Sequence, residues 1–135
     1  MIKTFVLPTL LVLGFAFWLV GQTEADYSGW MKQVAATKGK VASEVKGKQN
    51  AEAATDATAL AGLFKQVGAF WSSRNVTDAV EIAHKAETAS NDLAAAANAG
   101  DDAKMQASLQ TINGACGQCH SAHREGSPGS FKMKQ

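Results

Sequence analysis

The sequence predicts an all-α fold, an antiparallel up-down-up-down four-helix bundle, on three observations. Apolar residues recur at alternating spacings of four and three through separate stretches of the chain. Alanine, the strongest helix former, is abundant. The joints between the stretches are short, which makes successive helices antiparallel neighbours. Strand signals are missing: aromatics make up 7% of the chain, and no β-branched alternating run is bounded by turn residues. At 135 residues the chain fits one domain.

The elements follow in order. Lys3 precedes Thr4–Val20, which carries no charge, and Thr23 and Ala25 supply small residues before a cleavage point. Residues 1–25 therefore read as a secretory signal peptide. The run falls just short of the roughly 18 apolar residues of a spanning helix, so an uncleaved membrane anchor is the alternative. Either way the expected location is periplasmic.

Residues 26–126 form the expected helical domain. The first helix runs from about Asp26 to Lys48 with Tyr27, Met31, Val34, Lys38, Val41 and Val45 on one seam, and Asp26 or Ser28 as its cap. The second runs from Ala51 to Ser72, capped by Asn50, with Ala53, Ala57, Leu60, Phe64, Val67 and Trp71 inward. The joint at Gly47–Asn50 carries little turn chemistry, which leaves a continuous or kinked first hairpin open. The third helix starts after Thr77, turns Val80, Ala83 and Leu93 inward, and ends at Gly100, a residue suited to a C-terminal cap. The fourth is capped by Asp101, carries Met105, Leu109, Ile112, Cys116, Cys119 and His123 inward, and is stopped by Gly126 and Pro128. Residues 127–135 read as a flexible tail.

Charge excludes one class of partner. Thirteen basic residues face twelve acidic ones, which supplies no basic field for nucleic acid. The two cysteines exclude a multi-bridge disulfide framework. They stand in Cys116-Gly-Gln-Cys119-His120, the C-x-x-C-H signature of covalent haem attachment. On a helix these three residues lie at i, i+3 and i+4 and share a face. Two thioethers and one axial histidine can then come from a single turn. Rival readings are weaker. A redox dithiol sits at a helix N-terminus, which lowers its thiol pKa, whereas this motif is deep in the last helix. A zinc site of Cys116, Cys119, His120 and His123 cannot close a tetrahedron from one helix. A disulfide between i and i+3 of a helix is geometrically poor.

C-x-x-C-H near the end of the fourth helix of an exported domain resembles the class II c-type cytochromes, the cytochrome c′ family. Arg124, four residues after His120, and the stretch Tyr27-Ser-Gly-Trp-Met31 extend the likeness. The resemblance implies one covalent haem c at one end of the bundle. It implies His120 as the proximal ligand of the iron, and a first-helix residue opposite that either ligates or leaves that face open.

Geometry nominates that residue. His120 and Met31 each lie roughly 6 Å in from the same bundle end, so Met31 is the expected distal ligand. Trp30, Phe64, Val67 and Trp71 collect at this end as a haem pocket, and Arg124 pairs either with a haem propionate or with the helix dipole. His84, roughly 10 Å up the third helix, and His123 read as structural. Met105, roughly 22 Å from His120, is too far to ligate, and Met133 on the tail is remote. Lys38, Lys40, Lys46 and Lys48 read as a solvated face, with a docking patch as the sharper alternative.

The expected function is a monohaem electron carrier with no enzymatic role, since His/Met ligation suits electron transfer. Its partner would be a redox protein. A five-coordinate form binding nitric oxide or carbon monoxide, as scavenger or sensor, is the alternative. Family likeness adds a homodimer through the first two helices.

Overall fold

The computed structural model describes residues 22–134. The expected leader, up to residue 21, lies outside them. Among the described residues the chain forms α1 (Glu24–Lys46), α2 (Asn50–Ser72), α3 (Thr77–Ala99) and α4 (Asp102–His123), followed by β1 (Arg124–Glu125) and β2 (Lys132–Met133). The four helices pack as a bundle. No helix among the described residues is long and apolar enough to cross a membrane.

α1 begins earlier than the sequence suggests, and Thr23 caps it rather than Asp26 or Ser28. The Asp26 amide donates to Thr23 Oγ1 at 3.1 Å, and the Asp26 carboxylate accepts from the Thr23 amide at 2.8 Å. This reciprocal capping box satisfies two backbone donors that the helix itself leaves unpaired. Cleavage after Ala25 would remove it.

The first joint is a sharp turn, so α1 and α2 are separate helices. Lys48 adopts a left-handed conformation, φ +57°, and the Gln49 amide donates back to the Glu44 carbonyl at 2.9 Å. Asn50 is the first helical residue of α2 and not its cap; Gln49 holds that position without a side-chain bond. Asn75, at φ +58°, turns the chain into α3. Gly100, at φ +67°, ends α3 as expected, and the Asp101 side chain caps α4 by accepting from the Lys104 amide at 3.0 Å.

Packing is uneven around the bundle. α2 and α3 share the most extensive interface, with alanines buried on both, and α3–α4 and α1–α2 are also well packed. α1 and α4, which close the ring, touch only sparsely. The main core holds Val41, Leu60, Leu93, Met105 and Ile112. A second apolar cluster fills one end: Tyr27, Val67, Phe70, Trp71, Ala79 and Ala83, with Trp30, Met31, Val76, Val80 and Met133 against it. Its rings pack on one another. Tyr27 and Phe70 centroids are 4.5 Å apart, and Phe70 and Trp71 meet edge to face at 5.4 Å.

The segment after the helices is not a loose tail. α4 stops at His123, before Gly126 and Pro128, and the chain folds back as a hairpin with Arg124 opposite Met133 and Glu125 opposite Lys132. Gly126, at φ +96°, makes the return possible: a Cβ there would lie 2.7 Å from the Ser130 carbonyl oxygen.

Candidate cofactor site

The sparse α1–α4 contact opens into a cleft of about 690 Å³ at the aromatic end of the bundle. That volume lies within the range of small-molecule and cofactor sites. α1 supplies Glu24, Tyr27, Ser28, Met31, Lys32 and Ala35; α4 supplies Cys119, His120 and His123; the hairpin supplies Arg124, Glu125, Gly129, Phe131, Lys132 and Met133. A smaller apolar void of about 30 Å³ shares Tyr27, Met31, Cys119 and His120 with the cleft and reaches inward to Cys116, Val34, Phe64, Val67, Ile82 and Ala115. Thus Cys116, Cys119, His120 and Met31 border one region, the first three from a single helical stretch and Met31 from the facing helix.

Burial sets the chemistry of these groups. Cys116 and Cys119 are free and half-buried. Loss of hydration pushes both thiols up, Cys119 to about 11, with the neighbouring Cys116 adding to the rise. Reactive dithiols are shifted the other way, so the pair lacks the character of a redox motif. His120 is shifted down by burial first, then by the nearby Arg124 and Lys38 charges. A neutral imidazole with a free lone pair is the form that binds iron. His123, the fourth member of the zinc alternative, is engaged elsewhere. Its Nε2 lies 2.8 Å from Asp78 Oδ2 and its ring 5.1 Å from the Trp71 ring. Among the described residues no group of three or more His, Cys, Asp or Glu side chains is arranged to hold a metal ion.

The donor set suits a covalently held haem, and the cleft bordered by Met31, Cys119 and His120 has the volume for one, while Cys116 borders only the inner void of about 30 Å³. Two sulfurs at i and i+3 and an imidazole at i+4 match the attachment edge and axial position of the macrocycle. The void beside them is apolar inward and open outward, as a flat ring with two carboxylates at one edge requires.

Other expected site residues are distributed unevenly. Phe64 and Val67 border the inner void. Trp71 is fully buried and Trp30 half-buried in the aromatic cluster; neither lines the cleft or the inner void. Trp71 Nε1 donates to the Tyr27 hydroxyl at 3.3 Å, which ties Tyr27 on the cleft wall to the buried Trp71 behind it. Arg124 lines the cleft, but from an extended residue beyond α4 and not from a helix end. Its guanidinium lies over the Phe131 ring, 3.9 Å from the centroid. Met133, remote in sequence terms, also lines the cleft. Met105 is buried in the main core, and His84 is exposed beside Glu87 at 3.6 Å.

Three of the four grouped lysines have partners on the protein. Lys38 Nζ donates across to Asn113 Oδ1 at 2.9 Å, Lys40 pairs with Asp56 at 2.6 Å, and Lys48 pairs with Asp102 at 3.0 Å. No protein-family model, no curated protein and no solved structure matches this chain.

Proposed function

We propose that this chain is a monohaem c-type cytochrome of the class II kind, exported to the periplasm, that carries single electrons. One observation carries the reading: the two cysteines and histidine of C-x-x-C-H border the same space as Met31 on the facing helix. Cys116 and Cys119 would hold the haem as thioethers, and His120 and Met31 would bind its iron. Bound there, the haem supplies an iron that cycles between ferrous and ferric.

The chain's own residues do the remaining work. α4 presents three groups from one turn, so attachment and axial ligation share one rigid element. Tyr27, Val34, Phe64, Val67 and Ile82 keep water from the inner side, and a dry, low-dielectric surround is a main control on potential. Arg124 and Lys132 on the cleft wall would neutralise propionate charge.

A second reading has one observation in its favour. Met31 packs against both apolar clusters, and a thioether retained in that packing leaves the distal face free for nitric oxide or carbon monoxide. Absorption spectra of the exported protein separate the two. A low-spin ferric spectrum with a sulfur-to-iron charge-transfer band supports the electron carrier. A high-spin ferric spectrum supports the gas binder.

A further inference from the structure

The C-terminal hairpin is tied to the bundle at several points. The Lys134 amide donates to the His123 carbonyl at 2.9 Å, and the Lys134 carbonyl lies 3.3 Å from His123 Nδ1. The other nitrogen of that ring meets Asp78 on α3 at 2.8 Å. Met133 packs into the aromatic cluster, and Phe131 lies under the Arg124 guanidinium. The Phe131–Arg124 contact lies within the hairpin; its ties to the bundle are the Lys134 contacts to His123 on α4, whose ring meets Asp78 on α3, and Met133 in the aromatic cluster, and they hold a two-stranded ribbon that alone is marginal in water. The ribbon runs along the mouth of the cleft, where Gly129, Phe131, Lys132 and Met133 form a wall that no helix supplies.

We propose that this hairpin is a strap across the cleft that determines which ligands enter it, with Phe131 and Met133 as the selecting side chains. The inference rests on the proposed haem site for its ligand but not for its mechanics. α1 and α4 leave the space open, and the strap narrows it from the third side. Small diatomic ligands pass the strap; ring-sized ligands enter only when it lifts. Lifting breaks the anchors at Lys134 and Met133 and leaves the four helices intact.

Gly126 supplies the test. Gly126→Ala puts a Cβ into the Ser130 carbonyl and breaks the hairpin away from the bundle core. Met133→Ser weakens the second anchor without touching the loop. Both are made in the full-length exported protein, with helix content checked by circular dichroism. Amide exchange of residues 132–134 reads the strap itself: protected in the parent and unprotected in the variants. If neither variant loses protection, the anchors do not hold the strap and the proposal fails.

Entry is read separately. If the protein is coloured, imidazole and carbon monoxide binding are followed by stopped flow in a Met31→Ala background, where no iron–thioether bond has to break first. The expected result is imidazole entry faster by roughly tenfold, with carbon monoxide entry changed by less than about threefold. If the protein is colourless, the haem reading has failed. The strap is then tested by iodoacetamide alkylation of Cys119, expected to accelerate by about the same factor. Released straps with unchanged imidazole entry, or unchanged alkylation in colourless protein, overturn the proposal.

Discussion

Met31 on α1 and His120 on α4 border the same two voids, one from each side of the gap where these helices fail to pack. Under the proposed function this thioether and this imidazole would both bind one haem iron. The rest of the proposed function follows from that relationship.

Replacing Met31 tests it at the iron. Met31→Ala should convert a low-spin ferric spectrum to high-spin and let carbon monoxide bind the reduced protein. Stability should fall by less than the roughly 2–5 kcal/mol of a buried Met→Ala change, because Met31 is only half-buried. Unchanged carbon monoxide binding would remove Met31 from the ligand set.

Trp71 should matter for stability rather than for the cleft. It is fully buried, stacks on Phe70 and bonds Tyr27. Trp71→Ala should cost about 3–5 kcal/mol. Tyr27→Phe leaves the indole N–H without its acceptor and should cost about 1–3 kcal/mol. Chemical denaturation of both variants checks the order; a Trp71→Ala variant as stable as the parent would mean that the cluster bears no load.

Lys48 is in a conformation that suits glycine. A side chain in the left-handed region costs about 1–2 kcal/mol, partly offset by the greater freedom of glycine in the unfolded chain. Lys48→Gly should therefore stabilise by up to about 1 kcal/mol even though it deletes the exposed ion pair with Asp102, which is worth little. Gly100→Ala should have the opposite sign, since Gly100 needs the same region. Thermal melts of the two variants should move in opposite directions.

Tyr27 is the only tyrosine, so its titration is read without ambiguity. Burial raises its phenol to about 12. A raised folded value favours the neutral form in the native state. The resulting stability is complete below the ordinary value near 10 and is lost as pH rises from there through about 12. Phenolate absorbance should appear late, together with unfolding. A normal titration in the folded protein would contradict the burial of Tyr27 in the aromatic cluster.

Much of the bundle was legible because the alternating four-and-three spacing has one cause, a stripe that must face the core. Val34, Val41, Leu60, Phe64, Leu93 and Ile112 all fall where that spacing puts them, and all are buried. Gly100 and Asp101 were equally readable, since each does one local job. Thr23 was missed because the stretch around it also reads as a cleavage site. Glu44 was missed because no period marks it. It is buried beside Val45, one carboxylate oxygen has no hydrogen-bond partner, and burial pushes its carboxyl up, with Asp56 adding to the rise and Lys40 opposing it.

The site was legible only in part. Cys116, Cys119, His120 and Met31 could be brought to one level by helix rise alone. The cleft could not, because it comes from two helices, α1 and α4, that touch only sparsely, and sparse packing leaves no mark on a helical stripe. The aromatic residues misled for a related reason: Trp30 and Trp71 each pack on Phe70 rather than lining the space. The hairpin was hidden because strands of two residues have no period. Its signal was the glycine pair Gly126 and Gly129, both in the left-handed region, and Gly126 with Pro128 also reads as a helix stop.

Intact mass of the exported protein, with thiol titration after denaturation, tests the central claim most directly. The account predicts one haem retained on the polypeptide under denaturing conditions and no titratable thiol at Cys116 or Cys119. Colourless protein with the polypeptide mass alone and two reactive thiols would contradict it.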